Sequence, residues 1–287
     1  MGAPVPPDAG QGSRLSTAVD VDHSPDGASD RPPRPRRDWG RTLARGLGQT
    51  LITLGLVALL FVVYQLTVVN ILTDQHQHQL TQQIHQQWQD QPTVTPPAGS
   101  ENPTSTAPVV LPAIKVGVGK PFAVIHIPRL GGNWVVVEGV SQQQLAQGPG
   151  HYIGTAMPGQ QGNFSVAGHA IRSVFLSEGD LRPGDPIVVE TADYWFVYRV
   201  LGDAAAGNYA SDASGIPGKE IVLPTAVQVI APTPDTSAGS PATGAYLTLT
   251  TCTPATTATH RLIVHARLDG QPISKASTPA GPPALHG

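Results

Sequence analysis

Disulfides are excluded from this chain, because 287 residues include a single cysteine and a lone thiol has no intramolecular partner. Charge is sparse too: Asp, Glu, Lys and Arg make up 13% and the formal net is -3, so composition offers no electrostatic case for binding nucleic acid. No internal repeat, long amphipathic helix or phosphate-binding loop appears, and "GVGKP" at Gly117–Pro121 lacks both the spacing and the Ser or Thr of a P-loop. What the chemistry has to work with is one thiol, Cys252, in "TLTTCTP".

One uncharged apolar run is present, "LITLGLVALLFVVYQLTVVNIL" from Leu51 to Leu72. As a helix it is roughly 33 Å long, enough to cross a bilayer core. Some fifty residues precede it, which a cleaved signal peptide would not have, so it reads as an uncleaved anchor. Arg31, Arg34, Arg36, Arg37, Arg41 and Arg45 all lie before the run, whereas Asp74, Asp90 and many Gln and His follow it. That asymmetry predicts a single-pass protein of the cell membrane, with its N-terminus cytoplasmic and everything after Leu72 extracytoplasmic. The bilayer is thus one expected partner, and a lone thiol stands out in a compartment that permits disulfides.

Composition divides the remainder. Residues 1–45, rich in Pro, Gly, Asp and Arg, read as a disordered tail, and 46–72 as the membrane anchor. Residues 73–113 read as an extracytoplasmic stalk and Pro-rich linker, with Leu80, Ile84 and Trp88 at helical spacing on a polar stretch. His76, His78 and His85 lie in that stalk without cysteine or a nearby acidic cluster, and no metal or other cofactor is expected. Residues 114–270 change texture to short β-branched and aromatic runs between Gly, Pro and Asp, and 271–287 read as an unstructured tail.

Within 114–270 the expected strands are 122–127, 133–138, 163–167, 186–190, 194–200, 227–230, 246–250 and 261–268, with one short helix in "VSQQQLAQ" capped by Ser141. "FAVIHI" and "WVVVEGV" are apolar on both alternations, which predicts an all-β closed or double-layered sheet with few solvent faces.

A thiol attacks as thiolate, so a working cysteine needs a base or a positive charge nearby. Two residues answer that need. His169, in "NFSVAGHAIRS", follows a strand end and a small Ala167-Gly168 pair; Arg261 opens the strand after the cysteine strand, where a short antiparallel connection returns it toward Cys252. Taken singly, each has a plain structural reading as a core thiol, a strand terminator or an edge charge. His260 and His265 flank the same strand, His265 sharing Arg261's parity, and both read as structural, as His126 reads as a core or rim residue.

These residues resemble the sortases, membrane-anchored cysteine transpeptidases of Gram-positive bacteria. "TLTTC" ending at Cys252 is similar to the family's Thr-Leu-x-Thr-Cys signature, with an Arg opening the next strand. "GPGHYIGTAMPGQQGNFSVAGHAIRS", Gly148 to Ser173, is similar to the segment leading to the family's histidine, and "RPGDPIVVET" is also familiar. The Gly-His-Tyr and Thr-Leu-Thr-Thr-Cys pair looks most like class E of actinobacteria.

The resemblance implies an all-β, closed eight-stranded sortase-like β-barrel preceded by one transmembrane helix. It implies that Cys252 cleaves a C-terminal Leu-Ala-x-Thr-Gly or Leu-Pro-x-Thr-Gly sorting signal of a secreted protein between Thr and Gly, and passes the acyl group to an amine of a peptidoglycan precursor. By the same likeness His169 is the acid and base, Arg261 orients the signal and stabilises the oxyanion, and Thr251, Tyr152 and His151 are candidate substrate-binding residues. The rivals are a thiol hydrolase without transfer and a non-catalytic membrane-tethered binding barrel.

Overall fold

The computed structural model describes residues 39–90, 111–169, 178–210, 213–237, 239–255 and 257–286, with the side chains of 65–75 excepted. The chain divides into two compact units after Leu56. The helix α1 (Trp39–Asp90) begins in the first unit and continues through the stalk region of the second. Its apolar span is Trp39–Tyr64, about 39 Å at helical rise, and Leu51, Leu54, Leu60 and Phe61 on it are all exposed. A long apolar helix with no protein covering it supports a single-pass membrane anchor. The helix begins at Trp39, so the end of the expected disordered tail is helical, while residues 1–38 of that tail lie outside the described residues.

The second unit is built from ten strands: β1 (Pro121–Ile127), β2 (Gly132–Glu138), β3 (Gly150–His151), β4 (Gly162–Gly168), β5 (Pro186–Glu190), β6 (Tyr194–Val200), β7 (Lys219–Val222), β8 (Ala245–Thr253), β9 (His260–Leu268) and β10 (Ile273–Ser274). The order β6-β5-β1-β2-β3-β4-β8-β9, closed by a β6–β9 pairing, makes the expected eight-stranded ring. Two pairings, β2–β3 and β4–β8, are parallel and the rest of the ring is antiparallel. Inside it pack Ile125, Ile127, Phe164, Val166, Ile187, Phe196, Leu247, Leu249 and Val264.

Strands apolar on both faces are explained by covers outside the barrel. Leu80 and Ile84 of α1, with Trp88, pack on Val124, Val135 and Val137 of β1 and β2; the spacing of those three residues predicts the helix but not this packing. Gln77 caps the open edge of β2: Val135 N–H donates to its Oε1 at 2.7 Å, while its Nε2 donates to Val135 O and Gln147 O at 3.3 and 2.8 Å. On another wall, Val188, Trp195 and Val197 are covered by Ile273, Ala284 and Leu285. Residues 273–286 are therefore a packed cover, not the unstructured tail expected from 271. β10 pairs with β6, Trp195 Nε1 donates to Thr278 O at 3.2 Å, and Lys275 meets Glu190 at 2.6 Å.

Two local expectations are corrected. The segment Val227–Ile230 is a 3-10 helix laid over β8 rather than a strand, and the two-residue β3 takes its place in the ring. The short helix α2 (Gln142–Leu145) forms, but the Ser141 hydroxyl donates to Gln144 Oε1 instead of capping backbone amides. In β3 a Cβ at Gly150 would lie 2.1 Å from Gly139 O, so only glycine permits this approach.

Candidate active site

β8 carries the thiol. Alternation sends Leu247 and Leu249 into the barrel and Thr248, Thr250 and Cys252 to its outer face. Pro254 follows directly and has no N–H for a ladder, and β8 ends at Thr253.

Its two neighbours bring the other groups. β9 is antiparallel, and its register sets Arg261 directly opposite Cys252. Such opposed pairs hold their side chains on one face with Cβ atoms about 5 Å apart. The Arg261 guanidinium donates through one nitrogen to Ala258 O and His260 O at 3.1 and 2.9 Å, which holds it at the strand entrance. β4 is parallel to β8 with Gly168 level with Thr251, so one further residue brings His169 level with Cys252. His169 also has the outward parity of Asn163 and Ser165, opposite to the core residues Phe164 and Val166. Burial lowers its pKa below the ordinary histidine value.

Cysteine, histidine and arginine from three separate stretches thus share one end of one outer face. Burial favours the neutral imidazole of His169, and Cys252 is a free, half-buried thiol. Residues 170–177, which follow His169, lie outside the described residues.

The three expected substrate-binding residues separate. Tyr152 reaches the row, its hydroxyl 3.0 Å from Thr250 Oγ1, two positions before the thiol. Thr251 points the other way: it is buried and its hydroxyl donates to Gly168 O at 2.9 Å, tying β8 to the end of β4. Its hydroxyl is thus spent within the barrel wall rather than turned to the outer face. His151 is likewise not at a binding surface. Its ring is buried, Nδ1 lies 2.7 Å from Glu138 Oε2, and Nε2 lies 2.9 Å from Thr155 Oγ1. The pair Glu138–His151 was not legible in the sequence, since a Glu and a His on successive segments carry no sign that a β2–β3 pairing joins them.

Elsewhere, a cavity of about 290 Å³ is lined by Trp88, Ile114, Phe122, Met157, Asp193 and Phe196, and none of its lining residues belongs to the Cys252 row. The outer face also bears a second polar group that the sequence reading assigned to structure, around His265.

With this geometry in place, likeness to known proteins identifies the family. The Sortase domain profile matches residues 125–269, which contain all three residues of the row. Sortase SrtE1 of Streptomyces coelicolor is 34% identical over 87% of this chain and 64% of its own length. Sortase SrtE2 of the same organism is 32% identical over 88% of this chain and 93% of its own. Among solved structures, the SrtF sortase from Corynebacterium diphtheriae aligns with a TM-score of 0.55 at 32% identity, covering 62% of this chain and 97% of that one. The chain spans a little under two thirds of the first of these relatives and nearly all of the second. By profile, by identity and by its closed barrel, the chain belongs to the sortase family of cysteine transpeptidases, close to the class E members of actinobacteria.

Proposed function

We propose that this protein is a membrane-anchored transpeptidase that cleaves a C-terminal sorting signal between Thr and Gly and transfers the acyl part to an amine. The supporting observation is the pairing of Cys252 with Arg261 across β8 and β9, with the β4 register bringing His169 level with the thiol. In the first half-reaction the Cys252 thiolate attacks the Thr carbonyl carbon, and Arg261 stabilises the oxyanion that forms. His169, as imidazolium, gives its proton to the Gly nitrogen as the C–N bond breaks, leaving a thioester on Cys252. Neutral His169 then takes a proton from the incoming amine, the new amide forms, and the thiolate leaves.

The substrates belong to the same proposal: secreted proteins with a Leu-Ala-x-Thr-Gly or Leu-Pro-x-Thr-Gly signal, and an amine of a peptidoglycan precursor. Such an amine lies outside the cell, which agrees with the arginines placed before the uncharged run that starts at Leu51 and hence with a cytoplasmic N-terminus. The remaining hydroxyls fit this division of labour. Tyr152 on Thr250 borders the groove, and Thr251 holds the β4 end in register so that His169 meets the thiol.

The test is full-length protein in detergent with each of the two peptides and an amine acceptor, the products followed by mass. Amine adduct is the expected product. Peptide release without adduct would favour a hydrolase, and no cleavage by folded protein would favour a binding barrel.

A further inference from the structure

Farther along the outer face that carries Cys252 lies a second constellation. Thr248 and His265 are directly opposed, as Cys252 and Arg261 are, but four residues back along β8, roughly 13 Å away at strand rise. Glu220 reaches it from β7, and Asp235 from the loop after the 3-10 helix that covers this part of β8. His265 has no exposed surface, and its Nε2, Glu220 Oε1 and Asp235 Oδ2 are all buried without a hydrogen-bond partner.

The hydrogen bonds behind His265 fix what Nε2 presents. The Asn163 amide nitrogen donates to Val229 O and Ala231 O, both at 3.1 Å, so its Oδ1 is the acceptor for the Thr248 hydroxyl at 2.8 Å. Thr248 Oγ1, having spent its proton there, accepts from His265 Nδ1 at 2.8 Å. In the neutral ring the proton is therefore on Nδ1, and the Nε2 lone pair is aimed at two carboxylates. That arrangement is repulsive unless something positive lies between them.

Either a proton, on Nε2 or on one of the carboxyls, or a cation meets the need. A protonated Nε2 would draw one oxygen to about 2.8 Å. Instead Glu220 Oε1 and Asp235 Oδ2 stand almost equally far off, at 3.5 and 3.6 Å. Two ligands of a tetrahedral metal with bonds of about 2.1 Å are about 3.4 Å apart. The hydrogen bond that fixes the Nδ1 proton is the outer support a metal-binding histidine ordinarily has.

We propose that Glu220, Asp235 and His265 form a divalent-metal site, of a kind that selects zinc or a similar transition ion over calcium or magnesium because one ligand is imidazole. Solvent would complete the coordination. The ion would clamp β7 and the long loop before β8 onto the strand that carries Arg261, and so brace one wall beside the groove without entering the reaction.

Full-length protein in detergent, stripped with chelator and dialysed against Zn²⁺, should retain one equivalent more than the double variant Glu220→Gln, Asp235→Asn. Its unfolding midpoint should rise by several degrees with Zn²⁺ while the variant's does not move. Both substitutions keep side-chain shape at partly exposed carboxylates and spare the buried imidazole, so loss of binding is separable from loss of fold. A variant with His76, His78 and His85 replaced by Gln, which removes the stalk imidazoles, should keep the equivalent. The proposal is overturned if wild type binds no more zinc than the double variant, if Zn²⁺ leaves the midpoint unchanged, or if the stalk variant is the one that loses the ion.

Discussion

Cys252 and Arg261 are directly opposed residues of one antiparallel pair, β8 and β9. Both lie on paired strands, so their opposition is set by the sheet register before any substrate arrives. Arg261→Ala is expected to slow acylation by about a hundredfold or more, the usual cost of losing an oxyanion donor, with little change in the unfolding midpoint. Arg261→Lys should recover part of this at best, because a point charge does not replace the fork. Stopped-flow acylation beside thermal unfolding would separate the two effects; a variant that loses both together would assign Arg261 to stability.

His169 is held below the ordinary histidine pKa by burial, and the sign of the consequence can be stated. The unfolded chain takes up the proton first as pH falls through about 6.5, so stability should decline from there and level off below the folded value. At neutral pH most rings are uncharged and only a minority of molecules hold the imidazolium needed to protonate a leaving amine. Ring titration by NMR should give a midpoint under 6.5, and His169→Asn should flatten that part of the stability profile. A midpoint at or above 6.5 would contradict the assignment.

Tyr152 and Thr250 share a hydrogen bond next to the thiol row. Removing it through Tyr152→Phe should lower kcat/KM by up to about tenfold, the range of one hydrogen bond. Thr250→Val should do the same, and the double variant no more than either alone. Additive losses in that cycle would mean the two hydroxyls act separately.

The C-terminal segment should contribute stability with a definite pH dependence. Burial pushes the Glu190 carboxyl up, but hydrogen bonds from His126 and Lys275 outweigh it and hold its pKa below the usual range. Stability from this group is present above the unfolded value of about 4.3 and is lost as pH falls through the folded one. Lys275→Met should therefore destabilise more at pH 7 than at pH 3, and truncation after residue 270 should lower the midpoint further by uncovering Val188, Trp195 and Val197. Equal effects at both pH values would remove the ion pair from the account.

The barrel and the row were legible in the sequence for local reasons. Alternating β-branched runs announce strands, and a Cys ending one strand with an Arg opening the next announces an antiparallel opposition that the register bears out. Leu80, Ile84 and Trp88 announced a helix, but not that its apolar side would pack on β1 and β2. What was not legible depends on contacts far apart in the chain. Val227–Ile230 has the composition of a strand, yet the Asn163 amide draws the carbonyls of Val229 and Ala231 down over β8 as a 3-10 turn. The segment after 271 has the composition of a tail, yet Trp195 offers it a hydrogen bond and an apolar bed. Parity put His265 on Arg261's face, but Glu220 and Asp235 come from elements whose placement no local pattern records.

Intact mass of the full-length chain tests the central claim, that Cys252 carries the acyl group. Incubated with a sorting-signal peptide and no amine, the protein should gain the mass of the peptide up to and including its Thr, and lose that mass when amine is added. Cys252→Ala should gain nothing and cleave nothing. A Cys252→Ala protein that still releases the peptide's C-terminal part would contradict the mechanism outright.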